Sequence, residues 1–173
     1  MRVRFGLHRD GFDPTLPRST VGEVTAGPRQ FLELLESDLG IPPIGTHPSE
    51  ELTLYRACLE ELDDFGRFYN QSFQVDPVAV ARTLCDWRHE WYLQGWDGGF
   101  PSAAGQRLDD MAAVETLAAS LVPACVGQRL RTILERLESQ RVQLDEVELL
   151  DHVDDLPLMW RRLIGHFDCR SVT

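Results

Sequence analysis

Lysine is absent from this 173-residue sequence, and all 17 of its basic side chains are arginine. Without lysine the chain cannot carry a Walker A motif, whose lysine reaches the β- and γ-phosphates, and it cannot form a Schiff base. The usual nuclease constellation of an Asp followed by Glu-x-Lys is excluded for the same reason. The sequence therefore predicts no ATPase and no nuclease chemistry within these residues.

Paired cysteines and long apolar runs are also missing. The four cysteines lie far apart with no CxxC, so they form neither a zinc-knuckle motif nor a redox motif. They are predicted to be buried free thiols: Cys58, Cys85, Cys125 and Cys169. No window approaches about 18 uninterrupted apolar residues, and no apolar run of signal length follows the first residues. The chain is predicted to be cytoplasmic, with no membrane partner.

The third shortage is positive charge. The net charge is −11, which argues against this segment alone wrapping a nucleic-acid backbone, because phosphate binding needs a concentrated basic surface. The charge does not exclude that the chain belongs to a larger assembly whose basic face lies elsewhere. The same charge favours an alternative, in which the chain is an acidic module that binds a basic protein or imitates DNA.

The hydrophobic pattern predicts strands near both ends and helices between them. Val3 and Phe5 alternate with arginines as in a strand with one buried face, and helical spacing recurs after Pro28, Ser49 and Pro77. The predicted fold class is α/β, helix-rich, with a small mostly parallel sheet flanked by helices; a mostly α fold is the alternative. We expect a single domain over 1–173, within which 65–121 forms a helical subdomain. The segment 11–20 is predicted to be an exposed connection rich in turn formers.

The stretch TVGEVTAGPRQFLELLESDLG, from Thr20 to Gly40, has the outline of a nucleotide-binding loop: a short strand, a Gly-containing turn and a helix. A phosphate site needs several backbone N–H groups that converge at the start of the helix. Pro28 removes one of those donors, and Arg29 is the only nearby cation. The turn at Gly27 is therefore predicted to start a packing helix and to bind no nucleotide.

Metal and hydrolytic sites have no recognisable spacing. Ligand-type residues occur in HVDD, in HFDC, beside His47 and in the adjacent pair His89 and Glu90, but none shows a rigid pattern such as HExxH. No G-x-S-x-G elbow is present. We predict no metal, no cofactor and no catalytic residue.

Aromatic residues are concentrated between positions 65 and 100. Single-stranded nucleic acid binds on aromatic platforms flanked by arginine, and Arg67, Arg82 and Arg88 lie in this segment. The competing interpretation is a hydrophobic core, since Trp87 and Trp91 are four residues apart and share a helix face. The spacing favours the core.

Several segments, taken in order, resemble the N-terminal region of bacterial PD-(D/E)XK nuclease family proteins. They are TVGEVTAGPRQFLELLESDLG, RFYNQSFQVDPVAVARTLCDWRHEWYLQGWDG, RLDDMAAVETL and LPLMWRRL. These proteins are similar to the B subunit of AddAB-type helicase–nucleases, which act in double-strand-break processing. The resemblance implies an inactivated RecA-like, helicase-like domain at the front of a longer polypeptide, whose nuclease centre lies near its C-terminus. No catalytic residue of the family can be assigned to this sequence, which has no Gly-Lys-Ser/Thr after Gly27.

The resulting hypothesis is a non-catalytic scaffold or DNA-contacting domain of a helicase–nuclease-like DNA repair protein. The partners it implies are DNA, and a superfamily 1 helicase or the remainder of the parent chain. The residues that we expect to touch DNA are Arg67, Tyr69, Arg82, Arg88 and Trp96, because arginine suits phosphate and stacking contacts.

Overall fold

A computed structural model describes residues 1–10, 22–44, 47–101 and 104–171. The predicted connection 11–20 lies outside the described residues. The chain forms two compact units. One, here called the sheet unit, comprises Met1–Pro43 and Gln128–Thr173; the other, the helical unit, is the continuous segment Ile44–Gly127.

The described elements follow one another in the order strand, strand, six helices, strand, helix, strand. In chain order they are β1 (Arg2–Phe5), β2 (Glu23–Ala26), α1 (Pro28–Asp38), α2 (Pro48–Glu61), α3 (Asn70–Val75), α4 (Pro77–Leu93), α5 (Gln106–Leu121), α6 (Val126–Leu137), β3 (Glu146–Leu149), α7 (Leu158–Ile164) and β4 (Asp168–Ser171), with one short 3-10 turn at Val153–Asp155.

The strands form one parallel sheet in the order β2-β1-β3-β4. Arg2 aligns with Glu23 on one side and with Glu146 on the other, so β1 is a central strand. The predicted α/β fold class, helix-rich with a small parallel sheet flanked by helices, is confirmed.

The two faces of the sheet differ in polarity. Val3 and Phe5 on β1 are buried, as are Val147 and Leu149 on β3. The alternate positions carry arginines and glutamates that pair across the strands, with Arg2 Nη2 2.7 Å from a Glu148 oxygen. Parallel sheets usually bury both faces; here the alternation that predicted one buried face is confirmed.

Helices α1 and α7 cover the apolar face. The ring of Trp160 stacks on that of Phe5 with centroids 4.9 Å apart, and Phe31 lies 5.2 Å from Phe5. Arg129 on α6 donates to both carboxylate oxygens of Glu36 on α1, at 2.7 and 2.6 Å, which fixes α6 beside α1. The core of the sheet unit therefore lies between the sheet and these helices.

The helical unit contains α2, α3, α4 and α5 around its own core. The buried members of this core come from all four helices and from the segments next to them: Tyr55, Cys58, Leu59, Tyr69, Phe73, Ala81, Leu84, Cys85, Met111, Val114, Ala118 and Val122. Asp76 caps α4 by accepting from the N–H of Ala79 at 3.0 Å, as the Asp-Pro pair predicts. The subdomain predicted over 65–121 lies inside this unit, which extends further at both ends.

Three details differ from the sequence-based expectations. The alternation of Val142, Leu144, Val147 and Leu149 with polar residues predicts a strand from Val142, but β3 begins only at Glu146. Strand β4 and helix α3 were not predicted, because neither shows a hydrophobic period of its own. Cys169 is exposed in β4, whereas the other three cysteines are buried free thiols as expected.

No single helix among the described residues has both the length and the apolar character needed to cross a membrane.

Candidate functional site

The start of α1 is the position at which a parallel α/β fold could hold a phosphate. Helix α1 follows β2 through Gly27, and Pro28 is its first residue, as predicted. The next two N–H groups, those of Arg29 and Gln30, both donate to the carboxylate of Asp10, at 2.8 to 3.2 Å. Phe31 donates to the carbonyl of Gly27. The donors that would bind a phosphate are thus already satisfied by a side chain of the same chain.

The approach of Asp10 to this turn is close enough to require glycine. A Cβ placed on Gly27 would lie 2.1 Å from the backbone nitrogen of Asp10, far inside contact distance. Gly27 therefore makes room for the segment after β1, which brings Asp10 onto the start of α1. Its role is to admit an internal carboxylate.

A second carboxylate closes the neighbouring loop. Strand β1 connects to β2 on one side of it, and β3 connects to β4 on the other side. The carboxyl ends of the adjacent strands β1 and β3 are therefore the topological switch point, at which parallel sheets usually bind ligands. There the N–H of Leu7 donates to Asp151 Oδ2 at 2.6 Å. Asp10 and Asp151 together place negative charge at the edge where a nucleotide would need positive charge.

Asp10→Ala is expected to lower the free energy of unfolding by about 0.5–2 kcal/mol, the usual cost of losing a helix cap. Asp10→Asn should lower the free energy of unfolding by less, because an amide oxygen still accepts from the same N–H groups. Chemical denaturation followed by far-UV circular dichroism measures both. An Asp10→Ala variant as stable as the wild type would show that this cap contributes nothing.

The five residues expected to touch DNA lie in different environments, and only Arg82 is an exposed side chain. Arg88 is 0% exposed and Tyr69 is buried, with its hydroxyl donating to the carbonyl of Leu59. Neither of these two is an exposed side chain, since Tyr69 is 2% exposed and Arg88 is enclosed completely.

The remaining two candidates are partly exposed and already engaged. Arg67 donates to Asp110 Oδ1 at 2.9 Å, and this hydrogen bond raises the pKa of Arg67. The indole N–H of Trp96 donates to the carbonyl of Gly99, and its ring stacks on Phe100.

An aromatic groove, not recognised in the sequence, lies on the helical unit and has a volume of about 330 Å³. Its walls include Phe68 and Trp87, and the Arg107 guanidinium lies 5.4 Å from the centroid of the Phe68 ring. The other lining residues are Tyr69, Ser72, Ala79, Val80, Thr83 and Leu84. Arg82 is exposed on α4 but is not one of the residues that line the groove. The groove thus combines flat aromatic surface with a guanidinium.

A polar cluster joins α2 to α4. His89 Nε2 lies 2.7 Å from Glu51 Oε1 and 3.6 Å from Cys85 Sγ. Contacts with Cys85 and with Glu51 raise the pKa of His89 to about 10. Within the described ranges this is the one group of three His, Cys, Asp or Glu side chains close enough to share a metal ion. The i, i+4 spacing of Cys85 and His89 was visible in the sequence, but Glu51 comes from another helix and was not.

Beside this cluster, Arg88 forms a buried ion pair with α5. Arg88 Nε lies 2.6 Å from Glu115 Oε2, and Nη2 lies 3.1 Å from Oε1. The Tyr92 hydroxyl donates to the same Oε1 at 2.8 Å. Burial lowers the pKa of Arg88, but the hydrogen bonds and charge of Glu115 raise it by more, so the guanidinium stays charged.

Comparison of the chain with protein-family models, with curated proteins and with solved structures gives no match in any of the three.

Proposed function

We propose that this chain is a non-catalytic domain of a helicase–nuclease-like DNA repair protein, in which it serves as a scaffold and contacts DNA. The observation that carries the proposal is the Asp10 carboxylate on the first free N–H groups of α1. A strand–turn–helix at the carboxyl edge of a parallel sheet has the outline of a nucleotide site. Here its donors are used internally and no lysine accompanies them.

This arrangement favours a strand–turn–helix that serves to pack the domain and does not bind a nucleotide. The carboxylates of Asp10 and Asp151 repel a phosphate at the positions where a nucleotide would enter. The loop N–H groups capped at this edge of the sheet already have hydrogen-bond acceptors within the chain. They therefore need no ligand to satisfy them. A domain of this kind keeps the shape of a RecA-like core while it holds no nucleotide.

The nucleotide part of the proposal is tested by equilibrium titration of the folded protein with ATP and Mg²⁺, followed by isothermal calorimetry. No saturable heat is expected from the wild type, and none from Asp10→Ala, because the lysine that binds β- and γ-phosphates is absent from both. Saturable binding of ATP by the wild type would overturn the proposal that this edge of the sheet holds no nucleotide.

The aromatic groove is the surface that we assign to DNA contact. Bases stack on exposed aromatic rings in a way that tolerates any sequence, and arginine adds contacts to phosphate and to the base faces. Phe68, Trp87 and Arg107 supply these groups within one groove. Because the chain as a whole carries a charge of −11, stacking has to contribute more than charge, which favours a single strand over a duplex.

Trp87→Ala is expected to weaken binding of an unstructured oligothymidylate by about 1–3 kcal/mol, the usual contribution of one stacked base. Arg107→Ala should reduce the slope of log affinity against log salt by about 0.7, the value for one phosphate contact to a single strand. Fluorescence anisotropy at several low salt concentrations measures both quantities.

Arg141→Ala serves as the matched control, because Arg141 is exposed in the sheet unit and away from the groove in sequence. It should leave both the affinity and the salt slope unchanged. A folded wild type that binds no oligonucleotide at low salt, or an Arg141 variant that weakens binding as much as Arg107→Ala, would contradict the DNA-contact assignment.

The second candidate function is an acidic protein-interaction module. The observation that favours it is the segment after α2, where Phe65 is 97% exposed and follows Asp64 directly. Asp64 is exposed, and so are Glu60 and Glu61 at the end of α2. An exposed aromatic ring among carboxylates suits a basic partner. Binding of a basic peptide that Phe65→Ala weakens, together with no binding of DNA, would favour this candidate over the first.

A further inference from the structure

Three different metal-ligating atoms, contributed by two helices of the helical unit, converge at one point. The Glu51 carboxylate, the Cys85 thiol and the His89 imidazole each place one such atom within 4.8 Å of the other two. Cys85 and His89 are four residues apart on α4, so they lie on one helix face. Glu51 comes from the first turn of α2, which packs against α4.

The spacing of these atoms is close to that of a tetrahedral zinc site. With zinc–sulfur and zinc–nitrogen bonds of about 2.3 and 2.0 Å, the S···N edge of the tetrahedron is about 3.5 Å. Cys85 Sγ and His89 Nε2 lie 3.6 Å apart. Glu51 Oε1 is 2.7 Å from the same nitrogen, and a zinc ion would require it to move outward by about half an ångström. A single side-chain rotation supplies such a shift.

Local charge also suits a divalent cation. A thiolate and a carboxylate together neutralise a 2+ ion, and a neutral imidazole adds no charge. Arg88 Nη1 lies 3.7 Å from Glu51 Oε1, but its guanidinium is neutralised by the closer carboxylate of Glu115. The metal would therefore face no net positive charge.

Access from solvent is provided on one side. The His89 side chain is 36% exposed and that of Glu51 18%, whereas Cys85 is buried. An ion can therefore enter past the imidazole and reach the thiol behind it. The same open side leaves space for a fourth ligand from solvent, as in zinc sites that have three protein ligands.

We propose that Glu51, Cys85 and His89 form a zinc site that clamps α2 to α4, with water as the fourth ligand.

Cobalt(II) substitution tests the site directly. Addition of Co²⁺ to the full chain under reducing conditions should give one equivalent of saturable binding, the intense visible bands of tetrahedral cobalt and a near-ultraviolet thiolate-to-cobalt charge-transfer band. Zn²⁺ should then displace the cobalt and remove all of these bands. Wild-type protein that remains folded and shows no thiolate band at saturating Co²⁺ would overturn the proposal.

Variants identify the ligands. Cys85→Ser should abolish the charge-transfer band, and His89→Gln and Glu51→Gln should each weaken binding by more than the about 10–100-fold that loss of an outer-shell partner costs. Cys58→Ser, which changes another buried thiol of the same unit, and His47→Gln, which changes an exposed histidine, should bind cobalt as the wild type does. Retention of the band in Cys85→Ser would refute the assignment.

A variant that fails to fold would not block the test. In a chain that combines Cys58→Ser, Cys125→Ser and Cys169→Ser, Cys85 is the single remaining thiol. The charge-transfer band should persist in this variant, since no other sulfur could produce it. A band that disappears while circular dichroism is unchanged would place the thiolate elsewhere and overturn the proposal.

Discussion

Glu115→Gln is expected to destabilise the helical unit by about 3–5 kcal/mol, because it leaves a buried guanidinium without a balancing charge. Arg88 is 0% exposed, and its Nε lies 2.6 Å from the Glu115 carboxylate. The amide of glutamine can still accept one hydrogen bond, but it carries no charge. Tyr92 would also lose the carboxylate to which its hydroxyl donates.

Denaturant unfolding monitored by tryptophan fluorescence measures this loss, since Trp87, Trp91 and Trp96 all lie in the helical unit. Glu90→Gln is the matched control: it removes an exposed carboxylate from α4 and should change the free energy of unfolding by less than about 0.5 kcal/mol. Replacement of both partners, Arg88→Met with Glu115→Leu, should restore most of the stability, because apolar side chains then take the place of the buried ion pair. A Glu115→Gln protein as stable as Glu90→Gln would contradict the prediction.

Trp160→Ala is expected to lower the free energy of unfolding of the sheet unit by about 3–5 kcal/mol, the range for truncating a large buried aromatic side chain. Trp160 is 2% exposed, and its ring stacks on Phe5 at 4.9 Å and on Phe31 at 6.3 Å. Its removal leaves a cavity between α7, the central strand β1 and α1. The loss includes both the transfer of the indole to water and the contacts that the surrounding rings no longer make.

Far-UV circular dichroism suits this measurement, because the substitution removes the only tryptophan of the sheet unit. Trp160→Phe should recover part of the loss, since a smaller ring still stacks on Phe5. Val153→Ala changes an exposed apolar side chain in the same unit and should be close to neutral. Equal stability of Trp160→Ala and Val153→Ala would show that this stack does not hold the sheet to its helices.

Local signals explain most of what could be predicted from the sequence. Helix α4 was predicted correctly because Asp76 and Pro77 define its start within two residues, and α1 because Pro28 follows Gly27. Strand β4 was missed because its sequence, DCRS, shows no alternation and has a neighbour on one side only. The starts of helices could therefore be predicted from residues that are adjacent in sequence. An edge strand such as β4 could not, because it is stabilised by hydrogen bonds to a strand that is distant in sequence.

The candidate sites could not be predicted to the same extent, because their partners are distant in sequence. Arg88 looked like a surface residue, and the carboxylate that makes its burial tolerable belongs to Glu115, 27 residues later. The cap on α1 comes from Asp10, on the far side of a loop. Only the pair of Cys85 and His89, four residues apart, was within reach of a local pattern.

The insertion of the helical unit between α1 and α6 has a consequence for synthesis on the ribosome. Arg4 on β1 and Glu148 on β3 form an ion pair across 144 residues of chain, whereas the helical unit is one continuous segment, 44–127. Domains emerge from the ribosome in chain order and fold as units. The helical unit can therefore become protease-resistant while β1 still exposes one unpaired edge, and a nascent chain arrested before residue 146 would offer that edge to chaperones.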